Sequence, residues 1–254
     1  MTMARIYAWP FPFWIAHRGA GKLAPENTLA AFQAGAGFGY RMFECDAKLS
    51  ADGVPFLLHD ATLERTSNGL GTAGEQRWDA LVQLDAGSWH SADYTGEKIP
   101  TLEEIARFCL EPGSRRCLNI EIKPTPGQEN ETGTVVAQQA AMLWAAAGAA
   151  APLPLLSSFQ QACLAAAQAA EPHLPRALLL DEMPLDWIEA ALALECIAII
   201  AKHTLWTAST AAAARAAGFK RVAYTVNDQA SADRLIALGL DGLITDRVDL
   251  FQPG

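Results

Sequence analysis

Short runs of aliphatic residues alternate with alanine-rich segments along most of the chain. The aliphatic runs predict buried strands, and the alanine-rich segments between them predict helices. The predicted barrel strands are residues 13–18, 42–49, 117–123, 153–157, 176–180, 196–202, 221–226 and 242–245. The predicted helices are residues 26–38, 102–110, 133–147, 160–170, 185–194, 207–217 and 229–238. Thr101 is the expected N-cap of the second of these helices.

This alternation predicts the fold class. Strands and helices that alternate through short connections form a parallel sheet with right-handed crossovers. Eight such strands in 254 residues predict an α/β fold, a (β/α)8 TIM barrel. An open doubly wound sheet is the competing fold, but no GxGxxG motif follows the first strand. The 51% hydrophobic content suits one barrel or two small domains. We favour a single domain that comprises residues 1–254.

A hairpin and a long irregular segment interrupt the regular alternation. Residues 54–59 form an apolar run that returns antiparallel to strand 42–49, after the turn signal Ala51-Asp52-Gly53. A two-residue Asp52-Gly53 loop places Asp46 opposite His59, whereas a three-residue loop shifts the register by one. Residues 61–100 are glycine-rich and too long for an ordinary loop, so they predict a small insertion over the barrel mouth, after the hairpin.

Composition and charge narrow the function and the location. A net charge of −9 argues against a broad nucleic-acid surface or stable membrane association, although a few local cations can still hold a small anion. The five cysteines are scattered and lack CxxC spacing, as in buried thiols of a reducing compartment. Pro10 and Pro12 interrupt the apolar start, so we expect no cleaved signal and a cytoplasmic protein. Residues 132–170 are uncharged, but their alanines, glutamines and prolines predict helix, strand and helix, not a membrane span.

Polar side chains collect where the predicted strands end, which is where barrel enzymes place their reacting groups. Glu44 and Asp46 are two apart, so both point to one face of a strand. Three carboxylates without a cysteine suit a hard divalent cation, Mg²⁺ or Ca²⁺. Histidines can move protons, and an arginine fork or a lysine can hold a phosphate. The candidates are His17, Arg18, Glu44, Asp46, His59, Glu121 and Lys123.

The sequence motifs that contain these residues resemble, in order and spacing, those of the glycerophosphodiester phosphodiesterase family. The matching segments are His17-Arg18-Gly19, Pro25-Glu26-Asn27-Thr28, Glu44-Cys45-Asp46 with Asp52-Gly53, His59-Asp60, IPTLEE at 99–104, IEIK at 120–123, YTVND at 224–228 and DGLITD at 241–246. They span about residues 14–246, nearly the whole chain. The resemblance implies a TIM barrel with a small insertion after the His-Asp motif.

The same resemblance implies roles for individual residues. Glu44, Asp46 and Glu121 correspond to the metal ligands of one divalent cation, and His17 and His59 to the acid/base pair. Arg18 and Lys123 correspond to the phosphate contacts, and Glu26 falls in the segment beside the substrate. Tyr224 stands where tryptophan is common, which bears on the shape of the alcohol pocket. Cys45 replaces an aliphatic residue and should face away from the metal.

We therefore expect metal-dependent hydrolysis of glycerophosphodiesters to sn-glycerol 3-phosphate and an alcohol. Either a glycerol hydroxyl attacks first and forms a cyclic phosphate, or water attacks directly; the sequence leaves both open. One alternative is a phospholipase-like barrel that acts on intact lipids, which the acidic composition does not favour. The other is a non-catalytic phosphodiester-binding module, which the presence of both histidines beside three carboxylates does not favour.

Overall fold

The computed structural model describes residues 9–148 and 152–253 and contains a closed barrel. Eight parallel strands follow one another around it, and β1 pairs with both β2 and β9, which closes the sheet. The strands are β1 (Trp14–Ala16), β2 (Met42–Leu49), β3 (Pro55–Leu57), β4 (Cys117–Ile122), β5 (Leu155–Ser158), β6 (Arg176–Leu180), β7 (Ala198–Lys202), β8 (Lys220–Tyr224) and β9 (Gly242–Thr245). β3 is the antiparallel return of β2. The (β/α)8 prediction is confirmed, and the open sheet is wrong.

Helices surround the barrel and begin at the caps that the sequence offers. They are α1 (Leu29–Gly37), α2 (Trp78–Leu81), α3 (Leu102–Cys109), α4 (Glu129–Ala147), α5 (Gln161–Ala170), α6 (Trp187–Ala193), α7 (Ala208–Ala216) and α8 (Gln229–Ala237). Thr101 caps α3 in a capping box with Glu104, as predicted. α1 begins at Leu29 and not at residue 26, because Thr28 is its N-cap and Asn27 has a left-handed φ of 59°. The residues before Thr28 therefore lie outside the helix.

The helix predicted over 133–147 begins four residues earlier, at Glu129. Glu129 and Glu131 occupy its first turn, where the helix dipole favours negative charge. Gly133 is an interior residue of α4, and a Cβ there would lie 2.3 Å from the carbonyl oxygen of Cys163 on α5. The glycine therefore allows α4 and α5 to pack closely. The three residues between Gly148 and Pro152 lie outside the described part of the chain.

Apolar side chains fill the barrel at the amino ends of its strands. Ile15, Met42, Leu155, Val222 and Ile244 belong to this buried cluster. A second cluster lies between the strands and the helices, and it contains Cys45, which points away from the barrel interior as expected. All five cysteines are buried free thiols. Because the lower barrel is filled, the polar residues collect at the carboxyl ends of the strands.

The hairpin register differs from the one that places Asp46 opposite His59. Lys48 pairs with Phe56, and the amide of Leu58 donates to the carbonyl oxygen of Asp46 at 3.0 Å, so the two-residue-loop prediction is wrong by one residue. The turn is the three-residue alternative. Ser50 stabilises it, because its hydroxyl accepts from the amide of Val54 at 2.9 Å while its carbonyl oxygen accepts from Gly53, whose φ is 79°.

Residues 61–100 form the predicted insertion, with α2, two short 3₁₀ turns and a small apolar core of their own. Leu63, Ala73, Leu81 and Ile99 pack there against Phe56 of β3, so the insertion sits on the hairpin. Among residues 9–148 and 152–253, the structure has no helix with the length and apolarity needed to span a membrane. The expectation of no cleaved signal concerns the apolar start of the chain, of which residues 1–8 lie outside the described residues.

Candidate active site

Three carboxylates meet at the top of the barrel. Glu44 and Asp46 point inward from β2, and Glu121 does so from the adjacent strand β4, where it is in register with Asp46. One oxygen from each of the three lies within 4.8 Å of the others, and all three residues are buried. The two-residue spacing on β2 and the parallel register with β4 are enough to create this cluster.

The electrostatics of the cluster favour a bound cation. Burial, together with the charges of Asp46 and Glu121, raises the pKa of Glu44 well above its ordinary value. Burial and Asp46 raise the pKa of Glu121 to about 7. Burial opposes the ionisation of Asp46 as well, but Arg18 and Lys123 hold its pKa below the usual range. Oε1 of Glu44 is buried without a hydrogen-bond partner. A buried, oxygen-only set with an orphaned oxygen fits a hard divalent cation.

Arg18, Lys123 and Asn27 surround Asp46. The Nε atom of Arg18 lies 3.2 Å from Asp46 Oδ2, and Lys123 Nζ lies 3.4 Å from Oδ1. Lys123 also lies 3.1 Å from Glu121 Oε1. The Asn27 amide donates to Asp46 Oδ2 at 2.8 Å, and Asn27 Oδ1 accepts from the Asp46 backbone amide at 3.1 Å. Thr28 therefore caps the helix, while Asn27 orients a carboxylate of the cluster.

Each of two histidines is held by an aspartate through Nδ1. His17 Nδ1 lies 2.6 Å from Asp246 Oδ1, and His59 Nδ1 lies 2.7 Å from Asp60 Oδ1. With Nδ1 engaged, Nε2 is the nitrogen left for the pocket, and His17 Nε2 lies 3.8 Å from Glu44 Oε2. Burial lowers the pKa of His59, and the charges of Arg18 and Lys123 add to the effect. Both imidazoles line the same cavity.

Residue-level reasoning from the sequence assigned no role to Asp246, Asn227 or Asp60. Asn227 donates to Asp246 Oδ2 at 2.8 Å and accepts from the Asp246 amide at 2.9 Å, so it holds the partner of His17. Burial opposes ionisation of Asp246, but the hydrogen bond with His17 lowers its pKa to about 2. Asn227 and Asp246 follow β8 and β9, so the strand-end rule that found the other candidates also points to these two.

Glu26 and Tyr224 lie at the edges of the site. Glu26 Oε1 accepts from Arg18 Nη1 at 2.8 Å. Burial would raise the pKa of Glu26, but hydrogen bonds from Arg65 and the charge of Arg18 lower it. The hydroxyl of Tyr224 donates to the carbonyl oxygen of Leu180 at 3.1 Å, and its ring meets Phe159 edge-on with centroids 5.8 Å apart. Glu26 thus contacts Arg18, a candidate phosphate-binding residue, and Tyr224 forms part of the cavity wall.

The cavity above the carboxylates has a volume of about 140 Å³. Its polar side carries both histidines, Arg18 and Lys123, and its apolar side carries Phe159, Leu179, Tyr224 and Ile244. A larger cavity, of about 820 Å³, lies near residues 9–12 and 109–117, but it contains none of the clustered carboxylates. The smaller cavity is therefore the candidate active site. It offers a small molecule one side that can bind an anion and one apolar side.

Comparison with known proteins identifies the family. The model of the glycerophosphoryl diester phosphodiesterase family matches residues 17–250, which include the whole carboxylate cluster and both histidines. The chain belongs to this family. It is therefore a phosphoric diester hydrolase by family, which favours an enzyme over the non-catalytic binding module.

Individual members of the glycerophosphoryl diester phosphodiesterase family align over nearly the full chain. The protein YhdW of Bacillus subtilis (strain 168), described as a candidate glycerophosphodiester phosphodiesterase, is 32% identical over 92% of this chain and 94% of its own length. A glycerophosphodiester phosphodiesterase of Caldanaerobacter subterraneus is 30% identical over 91% and 93%. A solved Oleispira antarctica phosphodiesterase in complex with the product sn-glycerol-3-phosphate is 34% identical, with a TM-score of 0.89 over 95% and 96% of the two chains.

Proposed function

We propose that this chain is a metal-dependent glycerophosphodiester phosphodiesterase that forms sn-glycerol 3-phosphate and an alcohol. One observation carries the proposal: three buried carboxylates lie within 4.8 Å of one another, and two of them, Glu44 and Glu121, line a cavity together with two aspartate-held histidines. Glu44, Asp46 and Glu121 would hold one divalent cation, Mg²⁺ or Ca²⁺. When bound, that cation would offset part of the negative charge of the three carboxylates and the phosphate.

The cationic side chains would bind and orient the phosphate. Arg18 and Lys123 both line the cavity and both lie beside Asp46, so a phosphate held by them is also held next to the carboxylate cluster. The guanidinium of Arg18 can offer two parallel donors to a phosphate. Glu26 would act on the substrate through Arg18, and Tyr224 with Phe159 would enclose the apolar edge of the glycerol.

The two histidines would move the protons. One imidazole Nε2 takes the proton of the nucleophile, and the other donates a proton to the leaving alkoxide. Asp246 and Asp60 accept from Nδ1 and so keep each Nε2 directed at the cavity. The nucleophile is either a glycerol hydroxyl, which forms a cyclic phosphate that water then opens, or water itself. In both cases a proton enters one imidazole while another leaves the second.

Location and domain organisation belong to the same proposal. We infer a cytoplasmic enzyme, which the five buried free thiols support. We treat residues 1–254 as one domain, because the core of the insertion includes Phe56 of the barrel hairpin.

Release of glycerol 3-phosphate from glycerophosphocholine, with and without chelator, tests the function. Turnover of intact phospholipid in place of glycerophosphocholine would instead support the phospholipase-like alternative.

The breadth of accepted alcohols is a testable consequence. The charged side chains of the site would converge on the phosphate, and the alcohol would project toward the insertion and solvent. We expect choline, ethanolamine and glycerol diesters to have kcat/KM values within about tenfold, or about 1.4 kcal/mol of transition-state binding. Steady-state kinetics with the three diesters measure this. Bis(p-nitrophenyl) phosphate lacks the glycerol, and comparable efficiency with it would indicate a general phosphodiesterase.

The acid side of the pH profile should reflect His59. Its pKa is lowered from 6.5 by burial and nearby cations, so the neutral imidazole persists below that pH. If neutral His59 is the base, the acid-side decline of kcat/KM should be centred below 6.5, where the ring becomes protonated. A pH profile, paired with NMR titration of His59, measures this. A decline centred above the ordinary histidine value would contradict the assignment.

A further inference from the structure

Arg65 of the insertion joins two carboxylates at the edge of the cavity. Its Nε and Nη2 atoms donate to Asp60 Oδ2 and Oδ1 at 2.6 and 3.0 Å. Its Nη1 and Nη2 atoms donate to Glu26 Oε2 and Oε1 at 2.8 and 2.7 Å. All three guanidinium nitrogens are engaged, and Nη2 serves both carboxylates. One side chain therefore fixes the position of Glu26 relative to Asp60.

Each of these carboxylates holds a residue of the proposed machinery. Asp60 accepts from the imidazole of His59 at 2.7 Å, and Glu26 accepts from Arg18 at 2.8 Å. A continuous chain of hydrogen bonds thus runs from His59 through Asp60, Arg65 and Glu26 to Arg18. His59 is a proposed proton-transfer group, and Arg18 is a proposed phosphate contact.

The backbone around Arg65 is well anchored. Leu63 and Thr66 beside it are buried, and the Leu63 amide donates to the carbonyl oxygen of Gly71 at 3.0 Å. The Ser67 hydroxyl donates to the carbonyl oxygen of Leu63 at 2.7 Å, which closes the turn that carries Arg65. The guanidinium therefore starts from a fixed base, as a residue that positions others requires.

We propose that Arg65 is a positioning residue that aligns His59 with Arg18 for phosphodiester cleavage. The inference rests on the proposed function. The simpler alternative is a surface ion pair, since the Arg65 side chain is 44% exposed and isolated exposed pairs contribute little to stability. A surface ion pair does not explain why each of the two carboxylates also forms a hydrogen bond with a residue of the proposed machinery, His59 or Arg18. A fork that binds two carboxylates fixes their geometry in a way a lysine ammonium cannot.

Arg65→Ala should lower kcat/KM for glycerophosphocholine by about 10- to 100-fold, the usual effect of removing a group that orients a ligand or catalyst. Arg65→Lys should recover only part of the loss, because one ammonium cannot span both carboxylates. Added guanidinium, at a concentration that does not denature the wild type, should restore activity to the alanine variant. A purely structural role predicts a lower Tm and no rescue.

Arg77→Ala is the matched control, because Arg77 also lies in the insertion and pairs with Asp52 and Asp79, away from the cavity. It should keep wild-type kinetics and show no response to guanidinium.

Heteronuclear NMR of the His59 ring nitrogens adds a readout besides activity: Arg65→Ala should lose the fixed Nδ1-protonated tautomer, and Arg77→Ala should keep it. An Arg65→Ala enzyme with wild-type kcat/KM and an unchanged His59 signal would overturn the inference while the phosphodiesterase itself stood. An inactive wild type would count against the proposed function, and the NMR comparison would still decide on Arg65.

Discussion

Chelation should abolish turnover of glycerophosphocholine, and Glu44→Gln should remain inactive when Mg²⁺ or Ca²⁺ is restored. The physical reason is the repulsion among Glu44, Asp46 and Glu121, whose oxygens lie within 4.8 Å of one another. Burial and this repulsion raise the pKa of both glutamates. A divalent cation removes the repulsion and completes the buried oxygen set. Losing one ligand should therefore cost both affinity for the cation and catalysis.

Thermal unfolding separates loss of the metal from loss of the fold. Because a ligand stabilises the state that binds it, Mg²⁺ or Ca²⁺ should raise the Tm of the wild type. Glu44→Gln should lose this increase, yet its metal-free form should be at least as stable as the metal-free wild type, since glutamine is neutral at a position where burial and the neighbouring carboxylates disfavour a charge. Glu103→Gln is the control, because Glu103 is a partly exposed residue of α3 that pairs with Arg107, away from the cluster. Full activity of metal-free wild-type protein would sink the prediction.

The strands were predictable because their signal is local. Met42–Leu49, Arg176–Leu180 and Gly242–Thr245 begin and end at the residues that the sequence predicts. The hairpin register was not predictable, because two loop lengths fit the same turn signal and the hydroxyl of Ser50 selects the longer one. The start of α4 was missed because the role of Gly133 depends on the packing of α5, which is distant in the sequence.

The site divides in the same way. The carboxylate cluster follows from side-chain alternation on β2 and from the parallel register with β4, so residue spacing predicted it. The partners of the histidines do not follow from spacing. Asp246 is 229 residues from His17, and only closure of the barrel brings the first and last strands together. The link from Arg65 to Glu26 likewise depends on how the insertion folds over the hairpin.

His17→Ala and His59→Ala should each lower kcat by about 10²- to 10⁴-fold, the range typical of general acid/base groups. Both side chains lie at the cavity, partly exposed, and each is tied to one aspartate, so their removal should leave the barrel folded. Divalent-cation binding by both variants should be retained, since neither histidine belongs to the carboxylate cluster. Single-turnover kinetics, with a cation titration followed by Tm, measure both quantities.

The double variant distinguishes a coupled pair from two independent groups. If one imidazole must take a proton while the other gives one, removing either disables the same step, and the double variant should be about as slow as the slower single variant. His173→Ala is the matched control, because His173 is an exposed histidine paired with Glu171 and is not among the residues lining the cavity. It should retain wild-type kcat. A double variant whose loss equals the product of the single losses would reject the coupled pair and indicate that the two histidines contribute independently.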